Sequence, residues 1–222
     1  MDIAILGGTG DIGEGLALRW AADTDHVIRI GSRKAEKAEA AVADYRERLG
    51  DRGIDAELHG AENPDAADGA DVVVLAAPPY HVASLTETVA DRLSSEAILV
   101  SPAVGMDRDE AGFHYDPPPA GSVTEHVAAT APAETPAIGA YHNLAAKRLS
   151  TLDAELGVDT LVLGDDEDAK ATIMALTDEI EGLRALDAGP TANAPEVESL
   201  APLAINVSRF CEKMDDVGVQ FR

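Results

Sequence analysis

Short apolar runs alternate along the chain with longer stretches whose apolar residues recur at helical spacing. Residues 3–6, Ile-Ala-Ile-Leu, read as a buried strand, residues 27–30 as a second and residues 56–59 as a weaker third. Residues 72–76, Val-Val-Val-Leu-Ala, are apolar without interruption, as expected of a strand covered on both faces, and residues 97–101 make a fifth. Between them, residues 11–22 predict a helix with Ile12, Leu16, Leu18 and Trp20 turned inward, residues 34–49 a charged amphipathic helix and residues 82–93 another. This β-α-β-α rhythm predicts a parallel sheet with right-handed crossovers.

The rhythm breaks between residues 102 and 122. Gly105, Gly112, Pro117, Pro118, Pro119 and Gly121 predict a long loop there, and long loops in compact domains are usually lids or mobile segments. Beyond it the pattern predicts a helix over 122–129, a strand over 137–140 and a helix over 144–156. A strand over 160–163, a helix over 167–180 and a strand over 184–187 follow. Pro195 suits the first position of a final long helix through residue 209. The expected fold is α/β: a Rossmann-like, doubly wound, mainly parallel sheet with a smaller C-terminal α/β part. Residues 1–150 would be the nucleotide-binding domain and residues 151–222 the smaller part.

The sharpest motif is Gly7-Gly8-Thr9-Gly10-Asp11-Ile12-Gly13, with G-x-G-x-x-G at Gly8, Gly10 and Gly13. It follows the first predicted strand directly and opens the first predicted helix, the context the pattern requires. Glycines there permit a tight turn and close approach to a pyrophosphate, and the helix N-terminus offers free N–H groups. The bland alternative is a glycine-rich turn without a ligand. NAD-preferring sites place an acid about twenty residues further on. Here the second strand ends Ile30-Gly31-Ser32-Arg33-Lys34, with Lys37 a turn later. A hydroxyl and three cations suit an extra phosphate, so NADP is expected rather than NAD. The fourth strand ends Ala76-Ala77-Pro78-Pro79, which would form a wall beside the nicotinamide ribose or a plain loop.

Charge narrows the partners. The 222 residues hold 17 Lys+Arg against 41 Asp+Glu, a net charge of −24. Such a surface repels phosphate backbones and anionic lipids, so neither nucleic acid nor membrane is an expected partner. The acids are spread along the chain, and screening would relieve their repulsion, which points to a salty cytoplasm. The single cysteine, Cys211, excludes an intramolecular disulfide. The first residues lack the basic start of a signal peptide, and no apolar stretch reaches membrane-span length, so a cytoplasmic protein is expected. His26, His59, His81, His114 and His126 show no metal-ligand spacing, and no metal is expected. The acid-rich residues 164–168 read as a helix N-terminus capped by Asp165 or Asp166. Neither a G-x-S-x-G nor a P-loop ending is present.

The segments ILGGTGDIGEGLALRWA, IGSRKAEKAEA and LVSPAVGM resemble the NADPH-dependent reductases of the deazaflavin coenzyme F420, the F420H2:NADP oxidoreductases. So do GAYHNLAAKRL, VLGDDEDAKATIMALTDEIEGLRALDAGP and VESLAPLAINVSRF, and the likeness covers nearly the whole chain. The resemblance implies hydride exchange between NADP(H) and the deazaflavin, with the two rings stacked in a cleft closed by the smaller part, in a homodimer. It places Gly7, Thr9, Gly10, Asp11 and Ile12 on the phosphate loop and Ser32, Arg33 and Lys37 at the 2′-phosphate. It places Ala77, Pro78 and Pro79 at the strand-end wall, and Ser101, Pro102, Ala103 and Val104 beneath the deazaflavin. Ala146 joins the cofactor-binding residues, and His142 and Ser199 are polar residues near the rings, the expected catalytic pair. The family can carry a basic residue where Pro195 stands and a threonine where Ala201 stands, so those contacts are absent here. It also implies an extra residue near 211–214.

Hydride transfer between two such cofactors needs no nucleophile or metal; the protein supplies proximity, orientation and exclusion of water. Backbone N–H groups, or His142 and Ser199, would stabilise charge at the pyrimidine end of the deazaflavin. A buried structural histidine is the plain alternative for His142. Two other functions fit the residues. One is an NADP-dependent reductase of a small imine, ketone or hydroxyacid, for which Lys147 is the main candidate proton donor. The other is a non-catalytic NADP sensor.

Overall fold

The uninterrupted apolar runs become interior strands of one parallel sheet. The computed structural model describes residues 1–212, 214 and 216–222. Its first half runs β1 (Asp2–Leu6), α1 (Asp11–Asp23), β2 (Val27–Ser32), α2 (Ala35–Gly50), β3 (Leu58–Glu62), α3 (Asn63–Ala67), β4 (Val72–Leu75), α4 (Val82–Val89) and β5 (Ile98–Ser101). The hairpin β6 (Met106–Arg108) and β7 (Phe113–Tyr115) follows, then α5 (Val123–Thr130), β8 (Ala137–Gly139) and α6 (Ala146–Ser150). The chain ends with β9 (Val158–Val162), α7 (Glu167–Asp178), β10 (Leu183–Asp187), α8 (Ala194–Glu198) and α9 (Leu200–Phe210). The main sheet has the order β3-β2-β1-β4-β5-β8, and every neighbouring pair is parallel.

The twofold period of a strand explains why both faces need helices. Ile3, Ile5, Val72, Val74, Ile98 and Val100 enter one core with Leu16, Leu18 and Trp20 of α1 and with Val42, Tyr45 and Leu49 of α2. Their alternates Ala4, Leu6, Val73, Leu75 and Leu99 enter a second core with Ala66, Val82, Val89 and Val127. The first core continues through Leu156, Val162, Ile173, Leu176 and Leu183, so the C-terminal elements share it. β9 and β10 pair in parallel as their own small sheet, joined to the main one by an antiparallel bridge between Gly139 and Leu163. Trp20 donates from Nε1 to the Leu176 carbonyl at 3.2 Å and meets Tyr141 edge-on, centroids 5.8 Å apart.

The structure departs from the predicted elements at specific places. Residues 102–122 are not loop throughout, because they contain the β6–β7 hairpin. Its turn is held by Asp109, and Asn206 of α9 brackets Phe113 with bonds of 2.8 and 2.7 Å to its N–H and carbonyl. The helix expected over 144–156 shrinks to α6. Arg19 of α1 takes up the carbonyls of Leu149, Thr151 and Ala154 at 2.9, 2.8 and 2.8 Å, so the chain turns there without further helical bonds. The expected final helix divides at Ser199, since Pro202 has no N–H to bond the Glu198 carbonyl. α3, with Pro64 in its first turn, was not expected. Asp166 caps α7, accepting from the Ala169 N–H at 2.9 Å. The extra residue expected near 211–214 cannot be placed, because Lys213 lies outside the described residues. Among the described residues no helix is long and apolar enough to cross a membrane.

Candidate active site

The strand order reverses between β1 and β4, and a crevice opens at the carboxyl ends of strands at such a point. The glycine loop follows β1 and the 77–79 segment follows β4. Gly7 has φ +76°, and a Cβ on it would lie 2.6 Å from the Ala76 carbonyl oxygen. A Cβ on Gly13 would lie 2.7 Å from Gly8 Cα and 3.1 Å from Ala76 Cβ. Those two glycines are demanded by the protein's own packing. Gly10 is different. Its φ of −100° suits any residue, and its Cβ would meet only the Gly7 oxygen, at 3.4 Å. The space at Gly10, the N-cap of α1, is therefore open to approach from outside the loop. Among the described residues the N–H groups of Thr9, Asp11, Ile12 and Gly13 have no hydrogen-bond partner, at the positive end of α1. An open cradle with free amides fits a pyrophosphate.

The end of β2 supplies the neighbouring charge. Ser32 is buried, while Arg33, Lys34 and Lys37 are exposed at the start of α2. Among the described residues none of the three cations makes an ion pair. Three uncommitted cations in a chain of net charge −24 fit a further phosphate. Across the sheet Ser32 is in register with Glu62 of β3, an acid the sequence pattern did not place here.

A cleft of about 640 Å³ begins at Asp11 and Ile12 on α1. It runs past Pro102 and Val104 after β5 and the segment from Tyr141 to Ala146 after β8. Met106, Arg108 and Phe113 of the hairpin and Ala201, Ala204 and Ile205 of α9 close it. Tyr141 turns the chain into this wall through a left-handed backbone, φ 68°, held by its N–H to Thr160 Oγ1 and its hydroxyl to Thr177 Oγ1. Its hydroxyl is thereby engaged away from the cleft. His142 follows with a fully buried side chain. Burial pushes its pKa down to about 3, so the imidazole is neutral. Glu198 is buried beside it and accepts four bonds of 2.9–3.0 Å, from the Val123 and Thr124 N–H groups, the Thr124 hydroxyl and the Tyr115 hydroxyl. Burial raises the Glu198 pKa, and the two backbone N–H donors oppose that rise most strongly. Ser101 Oγ and His142 Nδ1 are buried and lack partners among the described residues. Ser101 ends β5 and His142 lies three residues beyond β8; of the two only His142 lines the cleft, and its unpartnered Nδ1 fits a polar, planar ring system.

Asp11, Ile12, Pro102, Val104, His142 and Ala146 of the expected site line this cleft. Gly7, Thr9, Gly10, Ser32, Arg33, Lys37, Ala77, Pro78, Pro79 and Ser101 are not among its lining residues and belong to the loop, strand-end and cation regions described above. Ser199 also lies outside the lining and donates to the Glu196 carbonyl at 2.7 Å. Lys147 is exposed and is not a lining residue. The sequence pattern missed Glu198, which reads as an ordinary surface acid on a helix, and the hairpin residues Arg108 and Phe113.

The family model for NADP oxidoreductase, coenzyme F420-dependent, matches residues 2–105. The F420-dependent NADP reductase of Methanocaldococcus jannaschii is 38% identical over 213 residues, which is 94% of this chain and 92% of that protein. This chain belongs to the F420-dependent NADP reductase family. A second family member, from Methanothermobacter thermautotrophicus, is 38% identical over 94% of this chain and 89% of its own length. A solved structure, a provisionally assigned F420-dependent NADP reductase from Arthrobacter sp. FB24, matches the fold with a TM-score of 0.79. It is 25% identical, with both chains covered in full.

Proposed function

We propose that this chain transfers a hydride between NADP(H) and coenzyme F420 in the cleft that begins at the glycine loop. The observation that carries the reading is the continuity of the site. The amides that suit a pyrophosphate stand at the head of α1, and Asp11 and Ile12 of the same turn already line the cleft. NADP would be held by the loop from Gly7 to Gly13, by Ser32, Arg33 and Lys37, and by Ala77, Pro78 and Pro79. The deazaflavin would lie over Ser101, Pro102, Val104 and Ala146, with Ser199 at the edge of its site. The nicotinamide and the deazaflavin supply the redox chemistry between themselves. The protein's part is to align the rings, keep water out and offer His142 as a neutral hydrogen-bonding group.

In this reading residues 1–150 bind the nucleotide and residues 151–222 close the cleft through α9. The outer side of α9 leaves Leu203 and Phe210 exposed at 58% and 62%, which supports a homodimer. The charge of −24 supports work in a salty cytoplasm, away from nucleic acid. The test mixes the protein with NADPH and oxidised F420 in high salt and follows the deazaflavin's visible absorbance. Loss of absorbance at a rate proportional to enzyme is the expected result; an unchanged spectrum across pH and salt would defeat the reading.

A further inference from the structure

Tyr45 is 3% exposed in the middle of α2, yet its hydroxyl leaves that helix and donates to the Gly8 carbonyl at 2.7 Å. Three of the glycine loop's N–H groups are tied within the loop or to neighbouring strands: Gly7 N–H to Gly31, Gly8 N–H to Ile5 and Gly10 N–H to Gly7. The Gly8 carbonyl is held from outside by one side chain. A trans peptide is planar, with C=O and N–H pointing in opposite directions. Fixing the Gly8 carbonyl toward α2 therefore fixes the N–H of Thr9 in the other direction, away from α2. That N–H is one of the four amides without a partner.

We propose that Tyr45 is a positioning residue for the phosphate loop, holding the Gly8–Thr9 peptide so that the Thr9 N–H faces the pyrophosphate. The proposal rests on the dinucleotide reading of the loop and names a residue that touches no cofactor. Burial, with Glu14 and Asp44 close by, raises the Tyr45 pKa, so the phenol stays a donor across the working pH range. The ring also packs in the core beneath the loop with Val42 and Leu49, which keeps the hydroxyl from following a displaced carbonyl. α2 thus serves two ligand regions: its first turn carries Lys37 near the expected 2′-phosphate, and Tyr45 sets the loop.

The test is Tyr45→Phe, which removes the hydroxyl and keeps the ring. NADP is measured against 2′-AMP, which carries the 2′-phosphate and adenosine but no pyrophosphate. The expected result is a Kd for NADP raised about three- to tenfold, the worth of one neutral hydrogen bond, with the Kd for 2′-AMP nearly unchanged. Equal Kd values for NADP in the two proteins, or equal weakening of both ligands, would overturn the proposal. A second measurement on the wild-type chain does not depend on the variant folding. NADP should slow hydrogen exchange at the Thr9 amide at least tenfold while 2′-AMP leaves it unchanged, and no slowing by NADP would overturn the proposal. A wild-type chain that binds no NADP would overturn the dinucleotide reading itself, and is thereby told apart from a failure of Tyr45.

Discussion

The Glu198 carboxylate lies 4.0 Å from the His142 imidazole, and neither side chain is exposed. Between them the Thr124 hydroxyl donates to Glu198 at 3.0 Å and stands 3.4 Å from His142 Nε2. With its proton on Glu198, that hydroxyl can only accept from His142, so Nε2 carries the hydrogen and Nδ1 is left as an acceptor. Burial outweighs the attraction of a charged pair, since the imidazole is pushed down to about 3.

His142 therefore links stability to pH. The unfolded chain takes up a proton here below its ordinary pKa of 6.5, while the folded chain does not until about 3. The stability contributed by the neutral form is complete above 6.5 and is lost as pH falls toward 3. His142→Gln removes that dependence, which urea unfolding at pH 7.5, 6 and 5 would show as a flatter curve. Turnover has no break near 6.5 due to this residue. A break in kcat/KM there that disappears in the variant would contradict a neutral His142.

The glycine loop predicts opposite outcomes for two similar substitutions. Gly10→Ala has room in the protein, so stability should change by only about 1 kcal/mol while NADP affinity falls. Gly13→Ala would push a methyl into Gly8 and Ala76, and stability should fall by about 1–3 kcal/mol. Chemical denaturation and NADP titration of both variants separate the two roles.

In the proposed site Arg33 would set the choice of nucleotide. Arg33→Ala should lower kcat/KM for NADPH by about tenfold to a hundredfold, the worth of a charge-assisted bond, and change kcat/KM for NADH far less. Parallel assays with the two nucleotides check it. Equal losses would remove Arg33 from the 2′-phosphate site.

The mean charge of the molecule opposes both anionic ligands, and in the proposed site the cations at the start of α2 would have to overcome it. Added KCl screens that long-range repulsion, so NADPH affinity should rise over the range where the acidic surface is being screened. Titrations from dilute buffer to molar salt, on protein shown by circular dichroism to be folded, test this. A monotonic fall would contradict it.

The parallel sheet and the glycine loop were legible because their signals are local. Val72 to Leu75 is apolar at every position, and Gly7 to Gly13 sits where an apolar run meets a helical pattern. The hairpin was not legible. All three residues of β6 are exposed, so no alternation marks them, and what brackets β7 is Asn206, 93 positions from Phe113. The length of α6 was hidden for the same reason, since Arg19 acts on it from α1. Glu198 could not be told from a solvated acid without seeing the N-terminus of α5 brought against it.

Trp20 is the chain's one tryptophan, and its ring rests edge-on against Tyr141, a wall residue of the cleft. Its near-ultraviolet emission overlaps the absorption of reduced nicotinamide, and its ring is fully buried. The molecule thus carries its own optical probe. Quenching of this single emitter would report NADPH entering the cleft without any label, and a red shift would report the core coming apart.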